Sequence, residues 1–216
     1  RNLASALPAL PEADRWRVAE ALAGRAEDAE DRFLPKLTWT GMADLVAADV
    51  PRAMRLAAST PQQGLGDSIR WFVTRLPAGR DALIAEIAAA PAEEGGRLLR
   101  LLGLGVEYET SLPAPAGWEP VAAKFADTDL SGLVDRLSTI FGDSRVLARM
   151  REVLADPAKP AAERRRALDL LRRAGDREAL PIYVKLLGDP GFRKDLIPLV
   201  RSSSDPQVAN ILLAAW

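Results

Sequence analysis

Neither cysteine nor histidine occurs anywhere in the 216 residues. That removes disulfides, covalent haem attachment through CxxCH, and zinc sites built on thiolate or imidazole. It also leaves Ser-His-Asp and Cys-His catalysis without a member. Aromatic residues make up only 6% of the chain, and β-branched residues are few, which argues against sheets. No apolar run approaches the roughly 18 residues of a membrane span, and no signal-like apolar core follows Arg1. Charge of one sign is also lacking. The formal net charge is −1, with −3 over residues 1–110 and +2 over 111–216. Neither half is the strongly basic surface that offsets duplex phosphates.

What is present is alanine, leucine, arginine and glutamate, the strong helix formers. Hydrophobic residues reach 48% and charged residues 27%, ordinary for a folded chain. The composition therefore predicts an all-α fold. The clearest pattern is DPAKPAAERRRALDLLRRAGDREALPIYVKLLGDP. Here Ala167, Leu170, Leu171 and Ala174 fall at i, i+3, i+4 and i+7, one stripe of a helix. Gly175 supplies a left-handed end and Asp176 a cap for the next helix. In that helix Ala179, Ile182, Tyr183, Leu186 and Leu187 repeat the spacing. Asp156-Pro157, Asp189-Pro190 and Asp205-Pro206 punctuate the region, each reading as a cap followed by proline at the first helical position. Asp49 with Pro51, and Thr60 with Pro61, repeat the device. Trp16, Ala19, Leu22 and Ala23 mark another inward stripe.

Helices are expected near 3–8, 12–24, 32–47, 51–59, 62–75, 80–89, 92–104, 118–125, 129–141, 144–154, 161–174, 177–187, 191–201 and 206–215. Paired as antiparallel hairpins and stacked, these make a HEAT-like α-solenoid of about six or seven pairs over residues 1–216. EYETSLPAPAG, residues 107–117, breaks the rhythm with Pro113, Pro115 and Gly117. It reads as a long loop within one array or as a boundary between 1–106 and 117–216.

Several phrases in order carry a resemblance: ALPALPEADRWRVAEALAGRAEDAED, FLPKLTWTGMADLVAADVPRAM, LPAPAGWEPVAAKFA, FGDSRVLARMREVLADP and DPQVANILLAAW. Together they resemble the HEAT-repeat middle region of the large PVC-type haem-binding CxxCH proteins. Those proteins carry a sorbosone-dehydrogenase-like propeller before this region and a cytochrome c domain after it. The resemblance implies a non-catalytic scaffold or protein-interaction segment of a larger exported, periplasmic redox protein. Its partners are neighbouring domains of the same polypeptide or a separate protein. Neither the haem motif nor propeller strands are present, so no activity carries over. A chain that opens on Arg1 and closes inside ILLAAW is expected to be a segment, monomeric or weakly self-associating through its end layers.

No catalytic set, cofactor site or metal site is read from the sequence. Arg164, Arg165, Arg166, Arg172, Arg173 and Arg177 form the most conspicuous charge cluster. Arg165, Arg172 and Arg173 are the candidates for an outward face that docks an acidic partner; the plainer reading is a solvated face paired with Asp169 and its neighbours. Glu27, Asp28, Glu30 and Asp31 have the chemistry to hold a hard cation but not the spacing of an EF-hand; Asp31 reads as a cap. Trp16, Trp39, Trp71 and Trp216 read as core rather than base-stacking platforms. Trp118, following the proline-rich loop, is expected to be partly exposed and to offer, with Tyr108, a second contact surface. Gly64 and Gly66, and Gly103 and Gly105, lack the strand and Lys-Ser/Thr of a phosphate loop; the first pair reads as close helix contact and the second as a helix end. The competing class is a HEAT-like DNA-binding protein or alkylpurine DNA glycosylase, which the near-neutral charge disfavours. A peptide receptor using the groove is a third reading.

Overall fold

The computed structural model describes residues 2–201 together with Asn210 and Leu213. Among these it is all-helical, with thirteen α-helices, three short 3₁₀ turns and no strand. Of the helix predicted at 206–215 only Asn210 and Leu213 are described, and the Asp205-Pro206 start and Trp216 lie outside the described residues. No helix among the described residues is long and apolar enough to cross a membrane.

The chain divides into two compact units. The first comprises the residues up to Tyr108 together with Pro115–Leu133, and the second comprises Glu109–Ala114 together with the residues from Val134 on. In the first unit the helices are α1 (Asn2–Ala6), α2 (Glu12–Ala23), α3 (Leu34–Ala48), α4 (Val50–Ser59), α5 (Gln63–Val73), α6 (Pro77–Ala89), α7 (Ala92–Gly105) and α8 (Trp118–Phe125). α9 (Ser131–Ile140) leads into the second unit, which holds α10 (Ser144–Ala155), α11 (Ala161–Arg173), α12 (Leu180–Leu186) and α13 (Pro190–Val200).

Packing in the first unit follows chain order. α2 lies on α3, α4 on α5 and α6 on α7, and from α3 to α6 each helix also meets the next but one: α3 with α5, α4 with α6, α5 with α7, α6 with α8. The stripes explain this. Leu65, Ile69 and Val73 of α5 are fully buried, as are Leu83, Ile84 and Ile87 of α6. Each such side chain contributes about 1.5–3 kcal/mol of burial. Small residues set the separation. A Cβ on Gly41 would fall 2.4 Å from that of Leu7, and one on Gly105 would fall 2.2 Å from the Thr74 hydroxyl. Gly103 and Gly105 are therefore close-approach positions as well as the end of α7. Of the other pair, Gly66 packs tightly on the Ala57 carbonyl while Gly64 faces open space.

In the second unit α10 packs on α11 and on α12, and α12 packs on α13. Leu154, Leu171, Leu187 and Leu196 are its fully buried centre.

Most predicted starts are present. Asp49 accepts from the Arg52 N–H at 3.0 Å and Asp189 from Gly191 at 2.8 Å, each with proline in the first turn. Gly175 takes a left-handed φ of 63°. Two starts differ. Asp156 closes α10 and accepts from the Ala158 N–H at 2.9 Å, and α11 begins only at Ala161. The second proline, Pro160, disfavours helical backbone at Lys159 and moves the start beyond it. Thr60 likewise ends α4. Its hydroxyl donates to the Ala23 carbonyl at 2.8 Å and accepts from Gln62 N–H at 3.1 Å, leaving α5 to begin at Gln63. The helix expected at 177–187 opens instead as a 3₁₀ turn, Arg177–Ala179, before α12; Pro181 has no N–H to continue an α-helical turn backward.

Candidate interaction surface

α11 carries AAERRRALDLLRR, and its apolar stripe decides where each arginine goes. Ala167, Leu168, Leu170 and Leu171 are buried. Arg164, one turn before Ala167 and Leu168, is drawn in with them and is only 8% exposed. Its Nε donates to the Leu154 carbonyl at 3.1 Å, and its guanidinium stacks 4.6 Å over the Phe192 ring. This arginine is structural, a role the sequence pattern did not reveal.

The remaining cations face outward. Arg172 and Arg173 share Asp169, at 2.6 and 2.8 Å. Burial alone raises the Asp169 carboxyl, but hydrogen bonds and charge from Arg172 and Arg173 outweigh it and hold the group below the ordinary aspartate value. Arg165 reaches the Gly191 carbonyl at 3.4 Å. Opposite them stands α13. Arg165, Leu168, Asp169 and Arg172 on one wall, with Lys194, Asp195, Pro198 and Leu199 on the other, enclose a groove of about 510 Å³. Arg165 and Arg172 are thus brought together on one groove. Arg173 is exposed beside it, sharing Asp169, but does not line it. Lys194 and Asp195 complete the charge pattern, and only the docking of α13 reveals them.

A second cleft, of about 380 Å³, adjoins this groove, sharing Arg172 and Leu199. Asp176 and Tyr183 lie in its lining. Asp176 caps the 3₁₀ turn by accepting from the Glu178 N–H at 3.2 Å. Its other oxygen lies 3.0 Å from Arg151 Nε, within ion-pair distance but off the N–H axis, so neither atom has a well-aligned hydrogen bond. Burial, reinforced by the Asp176 charge and opposed by Arg172, pushes the Tyr183 hydroxyl up to about 12.

The two aromatic candidates part company. Tyr108, in the turn beyond the end of α7, is 92% exposed. Trp118 is 4% exposed, which corrects the expectation of a half-open ring. Gly117, at a positive φ of 79°, turns the chain so that Trp118 heads a buried stripe with Val121 and Phe125, at i, i+3 and i+7. Trp118 is core, and no contact surface pairs it with Tyr108.

In the acidic segment, Asp31 accepts from the Phe33 and Leu34 N–H groups at 2.7 and 2.9 Å, the capping role expected. Arg25 binds Asp28 and Glu27 at 2.6 and 2.8 Å. Elsewhere in the first unit Arg70, 6% exposed, is gripped by both oxygens of Glu86, with Arg97 bridging Asp67 and Glu94 at 2.7 Å each. Arg52 pairs with Glu20 at 2.6 Å while stacking 4.7 Å over Trp16. Among the described residues these arginines are occupied by carboxylates of the chain itself.

No family model, curated protein or solved structure matches the chain.

Proposed function

We propose that this chain is a non-catalytic scaffold, a HEAT-like solenoid of stacked helix pairs that contacts protein, and that its contact surface is the groove between α11 and α13. The observation that carries the reading is the packing order. Helices that meet their chain neighbour and the next but one, α3–α5–α7 beside α4–α6–α8, are what a stack of hairpins produces. The groove supports a protein partner because its walls mix apolar side chains with charge of both signs, as interface rims do. The resemblance to the middle region of PVC-type haem-binding proteins supports a setting between domains of a larger exported polypeptide. The DNA-binding reading fares worse. Of six clustered arginines one is buried and two are held by Asp169, which halves the cations that could face phosphates.

Two titrations of the full chain test this. Fluorescein-labelled acidic peptides are expected to bind, and the paired reversal Arg165→Glu with Lys194→Glu to weaken them about tenfold or more through added repulsion. A duplex DNA gel shift is expected to show nothing at physiological salt. Nanomolar DNA binding under those conditions would overturn the proposal.

A further inference from the structure

The cleft beside the groove contains a hydrogen-bond donor that the protein does not use. Tyr183 is 5% exposed, and among the described residues no group accepts from or donates to its buried hydroxyl. Buried hydroxyls almost always have partners, and leaving one without costs a folded chain about tenfold or more in its folding equilibrium. The cleft's lining combines apolar Leu171, Leu180 and Leu199 with the arginines Arg172 and Arg177. Arg172 is already paired with Asp169 at 2.6 Å and Asp176 lies 3.0 Å from Arg151, so among the described lining residues Arg177 is the free cation.

We propose that this cleft anchors an acidic partner segment by one aspartate or glutamate side chain, whose carboxylate pairs with Arg177 and accepts from the Tyr183 hydroxyl. An apolar neighbour on the same segment covers Leu171, Leu180 and Leu199. The volume, about 380 Å³, exceeds what one carboxylate side chain fills and suits such a pair. The inference rests on the proposed function, since it names the chemistry of that partner.

The chain has only two tyrosines, so 3-fluorotyrosine labelling gives two fluorine resonances, assigned with Tyr183→Phe and Tyr108→Phe. The probe is the blocked peptide acetyl-Leu-Glu-Glu-Leu-Glu-Glu-amide, with its glutamine counterpart as the control, titrated into the full chain. Binding is expected to move the Tyr183 resonance and leave that of Tyr108 in place. Tyr183→Phe keeps the ring and is expected to weaken binding about tenfold while the thermal midpoint holds or rises, because the hydroxyl has no bond to lose. Arg177→Gln is expected to weaken binding about threefold. Equal affinity for the glutamine peptide overturns the anchor, as does a lower midpoint in Tyr183→Phe. Binding that is lost on Arg165→Glu with Lys194→Glu, yet leaves the Tyr183 resonance unmoved, also overturns the anchor and retains the groove. Absence of binding by either peptide overturns both.

Discussion

Gly64 and Gly79 hold matching places in consecutive helices, the second residue of α5 and the third of α6, yet alanine is expected to act oppositely at the two. Helix propensity and reduced freedom of the unfolded chain favour alanine at each by about 0.5–1 kcal/mol. Space decides the sign. A Cβ on Gly64 meets nothing within 4 Å, so Gly64→Ala stabilises by that amount. A Cβ on Gly79 falls 2.3 Å from the Val73 carbonyl oxygen and 2.6 Å from the Val73 Cβ, roughly 1 Å inside van der Waals contact. Neither obstacle is the tip of a flexible side chain, so the first turn of α6 must back away from the end of α5. Overpacking of this kind costs about 1–3 kcal/mol. The displaced turn also carries the buried Arg80, whose Nη1 donates to the Thr74 carbonyl at 2.9 Å; weakening that bond adds about 1 kcal/mol. Set against the propensity gain, Gly79→Ala is expected to destabilise by about 1–3 kcal/mol. Urea unfolding of both variants, followed by far-ultraviolet circular dichroism, checks the pair. A Gly79→Ala protein that unfolds at or above the parental midpoint would refute the argument.

Arg70→Met leaves Glu86 without its partner and is expected to cost about 2–4 kcal/mol, while adding Glu86→Leu returns the unfolding midpoint to within about 1 kcal/mol of the parent; a double variant as weak as the single one contradicts this. Asp189→Ala removes a helix cap and is expected to lose about 1 kcal/mol, whereas Asp156→Ala, at the other Asp-Pro pair, is expected to lose distinctly less because no helix starts there; equal thermal shifts would show that the distinction is wrong. Glu20, Glu94, Asp143 and Asp169 are all held below the ordinary values of 4.5 and 3.8 by arginine partners. Their contribution is therefore complete at neutral pH and is lost as pH falls below those values and through the lower folded ones, since the unfolded chain takes up protons first. Thermal midpoints across an acid series are expected to decline in that window, and a rise there would contradict the assignment.

The helices were legible because stripes and punctuation agree. Ala167, Leu170 and Leu171, or Trp16, Ala19, Leu22 and Ala23, mark a buried face by spacing alone, and all seven are buried. A cap was misassigned where two signals competed, at Pro157 and Pro160, although α11 begins at the expected Ala161, because a cap is decided by which backbone N–H comes within reach. The fate of charged side chains was less legible. Arg164 and Arg165 are adjacent, and nothing local says that one enters the core beneath Phe192 while the other borders a groove. That choice belongs to Leu154, Asp189 and Phe192, brought in by other helices. Trp118 is a different case, since its stripe with Val121 and Phe125 was readable and the nearby prolines outweighed it. Lys194 and Asp195 carried no signal at all until α13 stood against α11.

The proline-rich stretch looks like the natural place to cut this polypeptide, but the connectivity makes it a poor one. Residues 109–114 group with later sequence, whereas 115–133 return to the earlier unit. There Lys124 Nζ donates to the carbonyls of Ile87, Ala88 and Ala90 at 3.0, 3.2 and 2.7 Å, satisfying the open end of α6 from more than thirty residues away. An expression boundary drawn through the stretch leaves those oxygens bare and strips the Phe125 ring from beside Gly95. Recombination that swaps modules at this point meets the same obstacle, so the two halves are better cloned, exchanged and inherited as one piece.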